Sequence, residues 1–204
     1  MRMSFDYNTI LSTNLASMTL DNVFSEEECN IISKIGQNSG LADSMLFNSD
    51  IEPTIRKSKS AFLHPVEENL WFFEKIMSAV NWVNENYFQF ELYGFSSMQY
   101  TEYGPDGDFY NWHKDLMFKP NNGDRGSTTH SRKLSASVIL SNRDEYLGGE
   151  LYIERDSNNY PVNRILQNIG SIVFFPSFID HMVAPVTEGT RKSLVVWVEG
   201  PKLK

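Results

Sequence analysis

The sequence predicts a mainly β domain, of the sandwich, barrel or jelly-roll kind, with two helices ahead of it. Three observations carry that reading. Beyond Gly94 the chain breaks into short runs rich in Val, Ile, Phe and Tyr, punctuated by Gly, Asn, Asp and Pro. Before Gly94 lie two segments of helical periodicity. Aromatic residues make up 13% of the chain, many in runs such as Phe174-Phe175, which suits a sheet interior better than a bundle.

The first helix starts at Ser25, whose hydroxyl can cap the unpaired amides that Glu26, Glu27 and Glu28 follow in the first turn. It is expected to run to about Ile35 and to end at Gly36. The second covers Leu70 to Val83, with Phe73, Ile76, Met77 and Val80 on one stripe, a face to be packed against a sheet. Strands are expected at 97–103, 134–140, 150–153, 162–167, 171–175, 181–186 and 193–199. Gly148-Gly149, Asp156-Ser157-Asn158-Asn159 and Glu188-Gly189 supply turns between them. The polar stretch 121–129 reads as a long loop, and 116–132 as either a lid over substrate or a plain connector.

The 204 residues fit a single domain, with about 1–94 supporting a β core at about 95–204. A net charge of −8 without a Lys/Arg cluster argues against a nucleic-acid partner and favours a neutral or basic one such as a peptide. Cys29 is the only cysteine, so no intrachain disulfide can form and a reducing compartment is expected. The stretch from Met1 to Asp21 lacks a signal peptide's apolar core. The second helix, broken by Glu74 and Lys75, is too short to cross a bilayer. A cytoplasmic protein without a membrane span is the expectation.

Of four histidines, His64, His113, His130 and His181, the third reads as a surface residue. His113 sits in Trp112-His113-Lys114-Asp115. Two apart on a strand, His113 and Asp115 would share a face and one metal ion. Alone, His-x-Asp is a weak signal. Its context strengthens it: a strand-like run, Met98 to Tyr103, precedes it, and His181 enters a strand just after the Pro176-Ser177 turn. Two histidines and one carboxylate on one face of an octahedron form the triad of non-haem iron(II) oxygenases.

Arg191 follows His181 by ten residues, across a turn. Its planar guanidinium can grip a carboxylate through two parallel hydrogen bonds, and Ser193 would share its face. Tyr103, ten residues before His113, is either a further contact or a core tyrosine. Ser135 and Ser137 share one side of a strand whose other side is Leu134, Ala136 and Val138. Tyr110, Trp112, Phe118 and Trp197 are candidate substrate contacts; the alternative for the aromatics is packing beneath the loops.

Together these residues resemble the prolyl 4-hydroxylase-like branch of the iron(II)/2-oxoglutarate-dependent dioxygenases, and most closely the bacterial PKHD-type hydroxylases. The resemblance runs over nearly the whole chain: Phe24-Ser25-Glu26-Glu27-Glu28-Cys29, Ile55-Arg56-Lys57-Ser58, Tyr103-Gly104-Pro105 through His113-Lys114-Asp115, Leu147-Gly148-Gly149-Glu150-Leu151, and Pro176 to His181 followed by Gly189-Thr190-Arg191-Lys192-Ser193. It implies a double-stranded β-helix (a jelly roll) with N-terminal helices packed on one sheet. It also implies Fe(II) on His113, Asp115 and His181, 2-oxoglutarate on Arg191 with Tyr103 and Ser193, dioxygen as second co-substrate, and ascorbate as an auxiliary. The implied reaction is hydroxylation of an unactivated C–H bond, with a prolyl residue of a protein or peptide as first choice. A free amino acid or other small molecule is the alternative substrate, and a non-catalytic jelly-roll binding module the alternative class.

Overall fold

The computed structural model describes residues 10–14, 16–44, 55–116, 130–155, 158 and 161–202. In chain order the elements are β1 (Ile10–Asn14), β2 (Ser17–Leu20), α1 (Glu26–Asn38), β3 (Ala42–Asp43), β4 (Arg56–Lys57), β5 (Lys59–Leu63), α2 (Leu70–Val83), β6 (Met98–Tyr103) and β7 (Asp108–His113). There follow β8 (His130–Ile139), β9 (Tyr146–Gly148), β10 (Leu151–Arg155), β11 (Pro161–Arg164), β12 (Ile172–Pro176), β13 (His181–Gly189) and β14 (Arg191–Pro201). Residues 117–129, with Phe118 and most of the proposed lid, lie outside the described residues, as does most of the turn at 156–159.

Two antiparallel sheets face each other. The larger runs β1-β2-β12-β8-β14-β6-β5-β3; the smaller runs β11-β10-β13-β7-β4, with β9 also pairing β13. Strands from before Gly94 join both sheets: β2 pairs β12, β5 pairs β6, and β4 pairs β7. The N-terminal part is therefore woven into the same two layers. Its short strands at 10–20 and 56–63 carry no long apolar run, so pattern alone did not reveal them.

Alternation along the strands splits the apolar residues into two cores. Leu134, Ala136, Val138, Ile172, Phe174, Leu194, Val196 and Val198 turn outward from the larger sheet and meet Ile32 of α1 and Phe72, Ile76, Val80 and Val83 of α2. Val173 and Phe175 turn inward and meet Leu151, Ile153, Val183 and Val186 of the smaller sheet. The helices thus cover one face of the larger sheet, leaving its other face for the space between the sheets. No helix among the described residues is long and apolar enough to cross a membrane.

The N-terminus of α1 follows expectation. Ser25 Oγ accepts from Glu28 N–H and Glu28 reaches back to Ser25 N–H, a reciprocal capping box. Its end does not: Gly36 is helical and α1 continues to Asn38. A Cβ on Gly36 would stand 2.2 Å from the Tyr100 ring, so the glycine lets the helix lie directly on β6. In α2 the buried stripe is Phe72, Phe73, Ile76, Ala79, Val80 and Val83, and Met77 sits at its margin. A five-residue π turn, Asn84–Phe88, ends the helix with Gln89 in the left-handed region.

Candidate functional site

The site lies between the sheets, at the end where β7 stops and β13 begins. His113 is the last residue of β7 and opposes His181, the first of β13. Tyr110 opposes Val183, so three steps on β7 match two on β13. This bulge puts both Tyr110 and His113 on the cavity side, while Trp112 is not among the cavity walls. Asp115 reaches the site by another route than strand alternation. The strand has ended, and a bend carries the carboxylate inward. Leu116 N–H donates to Ser177 O at 2.9 Å, and Ser135 Oγ donates to Asp115 Oδ2 at 2.7 Å.

The three side chains converge. Asp115 Oδ1 stands 3.7 Å from His113 Nε2 and Asp115 Oδ2 stands 3.4 Å from His181 Nε2. All three donor atoms lie within 4.8 Å of one another. Donors about 2.1 Å from one ion at right angles stand about 3 Å apart, so this set can close on a single metal with little movement. Each imidazole is oriented for that role. His113 Nδ1 meets Asn111 O at 2.8 Å and His181 Nδ1 meets Ile179 O at 3.1 Å. A proton on Nδ1 for each carbonyl leaves both Nε2 lone pairs facing the Asp115 carboxylate.

Electrostatics support metal-ready protonation states. Burial, aided by nearby His181, pushes the His113 pKa down to about 3, so its ring is neutral at ordinary pH. Burial alone would raise the Asp115 pKa. His181, His113 and the Ser135 hydroxyl outweigh it and hold the group below its usual value, as a carboxylate. Ser135 also shares a 2.9 Å hydrogen bond with Ser177, and Ser137 lines the cavity, so both serines face inward.

Deeper in, Arg191 is 1% exposed. It opposes Tyr103 across β14 and β6, its guanidinium carbon 5.5 Å from the tyrosine ring centre. Nε and Nη2 donate to Gln167 Oε1 at 3.0 and 2.8 Å, and Nη1 donates to Ser193 Oγ at 3.2 Å. These acceptors are neutral, and among the described residues Arg191 makes no ion pair. Gly149 makes room for it: at φ +65°, a Cβ there would stand 2.9 Å from Arg191 Cδ. A buried guanidinium held only by neutral groups is an anion site by construction.

Around these groups lies a cavity of about 40 Å³ that opens to solvent. Its walls bring together Tyr103, Tyr110, His113, Asp115, His181, Arg191, Ser193 and Trp197. Sequence reasoning missed Gln167, which clamps the guanidinium, and the roles of Gln99 and Arg56 in the wall. Gln167 was expected to end a strand over 162–167, but β11 stops at Arg164, and the irregular stretch beyond it carries the side chain to Arg191. Arg56 was visible only as part of a matching segment. His130 is exposed, as expected, and His64 is exposed as well.

Family comparison agrees with this geometry. The model of the 2OG-Fe(II) oxygenase superfamily matches residues 98–199, half of the chain. The chain belongs to that superfamily. Iron(II) and 2-oxoglutarate are accordingly the metal and co-substrate of this oxygenase fold. A PKHD-type hydroxylase of Klebsiella pneumoniae is 34% identical over 104 residues, 51% of this chain and 43% of that protein. The match thus spans less than half of that relative's length. Among solved structures, a Pseudomonas putida prolyl-4-hydroxylase superposes with a TM-score of 0.67 at 18% identity, over 92% of this chain and 94% of that one. A Trichoplax adhaerens prolyl hydroxylase, in complex with a hypoxia inducible factor peptide fragment, gives 0.70 at 18% identity, over 91% and 84%. These likenesses establish the fold of this superfamily member as a double-stranded β-helix of the prolyl 4-hydroxylase type.

Proposed function

We propose that the protein is an iron(II)- and 2-oxoglutarate-dependent dioxygenase that hydroxylates an unactivated C–H bond, with a prolyl residue of a protein or peptide as its substrate. The observation that carries this reading is one cavity holding both a three-donor cluster, His113, Asp115 and His181, and a buried guanidinium without a carboxylate partner. His113, Asp115 and His181 hold the metal. Arg191 holds the distal carboxylate of 2-oxoglutarate, assisted by Ser193 and flanked by Tyr103. When bound, the metal and co-substrate supply the oxidising power that places one oxygen atom of dioxygen on the substrate carbon, with succinate and carbon dioxide as by-products.

The chain's own residues bind, orient and shield. Backbone carbonyls at Asn111 and Ile179 fix the imidazoles, and Ser135 fixes the carboxylate. Gln167 fixes the arginine fork, so the co-substrate meets a preorganised partner. Phe175, Leu151 and Val183 line the cavity with apolar surface. Hydrogen abstraction from carbon needs no general base, so no separate acid/base pair is required of the site.

The deciding experiment adds iron(II) and 2-oxoglutarate to the protein without oxygen, then admits air with proline-containing peptides. A weak visible charge-transfer band, followed by succinate and a +16 Da peptide, is the expected result. No band and no succinate would leave a jelly-roll binding module as the better account.

A further inference from the structure

His113 and His181 are the last pair of their ladder: one ends β7 and the other begins β13. Strand ends are where a sheet opens most readily, and Asp115 lies past the end of its strand. All three metal donors therefore stand where fraying would begin. One side chain spans that gap. Lys114, set between two of the donors, donates from Nζ to Phe178 O at 3.0 Å and pairs with Asp180 Oδ2 at 3.4 Å. Asp180 immediately precedes His181. The same turn is gripped from the other side by Glu154 of β10, whose N–H donates to Asp180 O at 2.8 Å. Glu154 does this with φ at +66°, a left-handed conformation that is costly for a residue with a side chain.

Charge makes this contact informative. An ammonium one residue from two donors repels a divalent cation, so for metal binding its charge is a cost. As an ion pair it is weak as well, since the Lys114 side chain is 47% exposed. Its charge-assisted bond to the Phe178 carbonyl, by contrast, has direction. That bond ties the residue between His113 and Asp115 to the turn that delivers His181. A contact that opposes the metal by charge can favour it only by geometry.

We propose that Lys114, with Asp180, is a positioning residue that clamps the end of β7 to the β12–β13 turn and holds His113, Asp115 and His181 together for the metal. This rests on the dioxygenase reading and deepens it, because it assigns part of the metal affinity to a pair outside the donor set. The clamp limits the separation of two chain segments, so its loss costs affinity whichever partner is removed. A purely electrostatic role predicts opposite signs: removing the ammonium would tighten metal binding, and removing the carboxylate would loosen it.

The test is calorimetric titration of the metal-free protein with manganese(II), and with iron(II) without oxygen, well below the unfolding temperature. Lys114→Met and Asp180→Ala each weaken metal binding about five-fold or more. The double variant is within about two-fold of the weaker single one, because both changes break one clamp. Lys114→Arg, which keeps a charged donor, restores most of the affinity. The melting temperature of the metal-free protein falls by no more than about 2 °C in either single variant, as suits an exposed pair. Unchanged or tighter binding by Lys114→Met overturns the proposal, and so do additive losses in the double variant or no recovery in Lys114→Arg. A larger fall in melting temperature that tracks the affinity makes the pair merely structural and overturns it too. If Lys114→Met fails to fold, a loss in Asp180→Ala without one in Lys114→Arg supports the clamp, and any other result overturns it. A wild-type protein that binds neither ion overturns the dioxygenase reading together with the clamp, whereas tight wild-type binding with unaffected variants overturns the clamp alone.

Discussion

At the scale of single residues, the energetics centre on Arg191. A guanidinium that is 1% exposed carries a large desolvation cost, which three neutral hydrogen bonds offset only in part. On the proposed reading, a bound dicarboxylate completes it. Removing one partner of such a pair costs roughly 2–5 kcal/mol. Arg191→Leu should therefore raise the 2-oxoglutarate requirement by about two orders of magnitude or more, in assays of succinate formation at varied co-substrate. Gln167→Leu keeps the charge but frees the fork, and about 1–2 kcal/mol of lost orientation predicts a rise near ten-fold. At the metal cluster, Ser135→Ala removes the 2.7 Å bond to Asp115. Loss of such a supporting bond typically weakens metal binding by roughly 10–100-fold, which calorimetric titration with a divalent ion would show. His113 gives a pH signature. Its folded pKa, about 3, lies below the 6.5 of an unfolded histidine, so below pH 6.5 the unfolded chain binds the extra proton. The metal-free protein should lose on the order of 1 kcal/mol per pH unit between 6.5 and 3, seen as a falling denaturation midpoint.

Among the elements, α1 and β6 show how one small residue sets a distance. Alanine at Gly36 would gain about 1 kcal/mol of helix propensity, but its Cβ would meet the Tyr100 ring at 2.2 Å. Overpacking of that kind costs about 1–3 kcal/mol, so the clash wins. Gly36→Ala should lower the melting temperature by several degrees, measured by calorimetry, and leave 2-oxoglutarate affinity within about two-fold. The bulge in β7 works at the same scale. It turns Tyr110 and His113 to one side, stacking their rings at 3.4 Å, and so supplies a ligand and a wall from neighbouring positions. The pattern did not mark a strand over 108–113, where only the His113 and Asp115 pair was read as strand-borne; the added residue was not readable either, because alternation assumes a regular pleat.

For the molecule as a whole, the site joins the two sheets. His113 and His181 come from the smaller sheet, Arg191 and Ser193 from the larger, and Asp115, just past β7 of the smaller sheet, is tied to the larger by Ser135 and by Leu116 N–H on Ser177 O. Ligands that bind this junction stabilise only the folded chain. At about a hundred times the dissociation constant, a ligand adds roughly 2.7 kcal/mol. Manganese(II) with 2-oxoglutarate should thus raise the melting temperature by about 5–10 °C in a thermal shift assay, and Arg191→Leu should remove most of the co-substrate's share.

By itself, the sequence determined the later strands other than β7 and β9, both helices and the short list of reactive residues, because apolar periodicity and turn chemistry are local properties. It marked His113, Asp115, His181 and Arg191 by their types, order and flanking turns. The tertiary structure alone decided how Asp115 reaches the metal cluster, through a bend after the strand. It also brought Gln167 to the Arg191 guanidinium and Arg56 to the cavity wall. Those facts depend on contacts between segments up to more than a hundred residues apart, and no local pattern encodes which buried charge finds a partner.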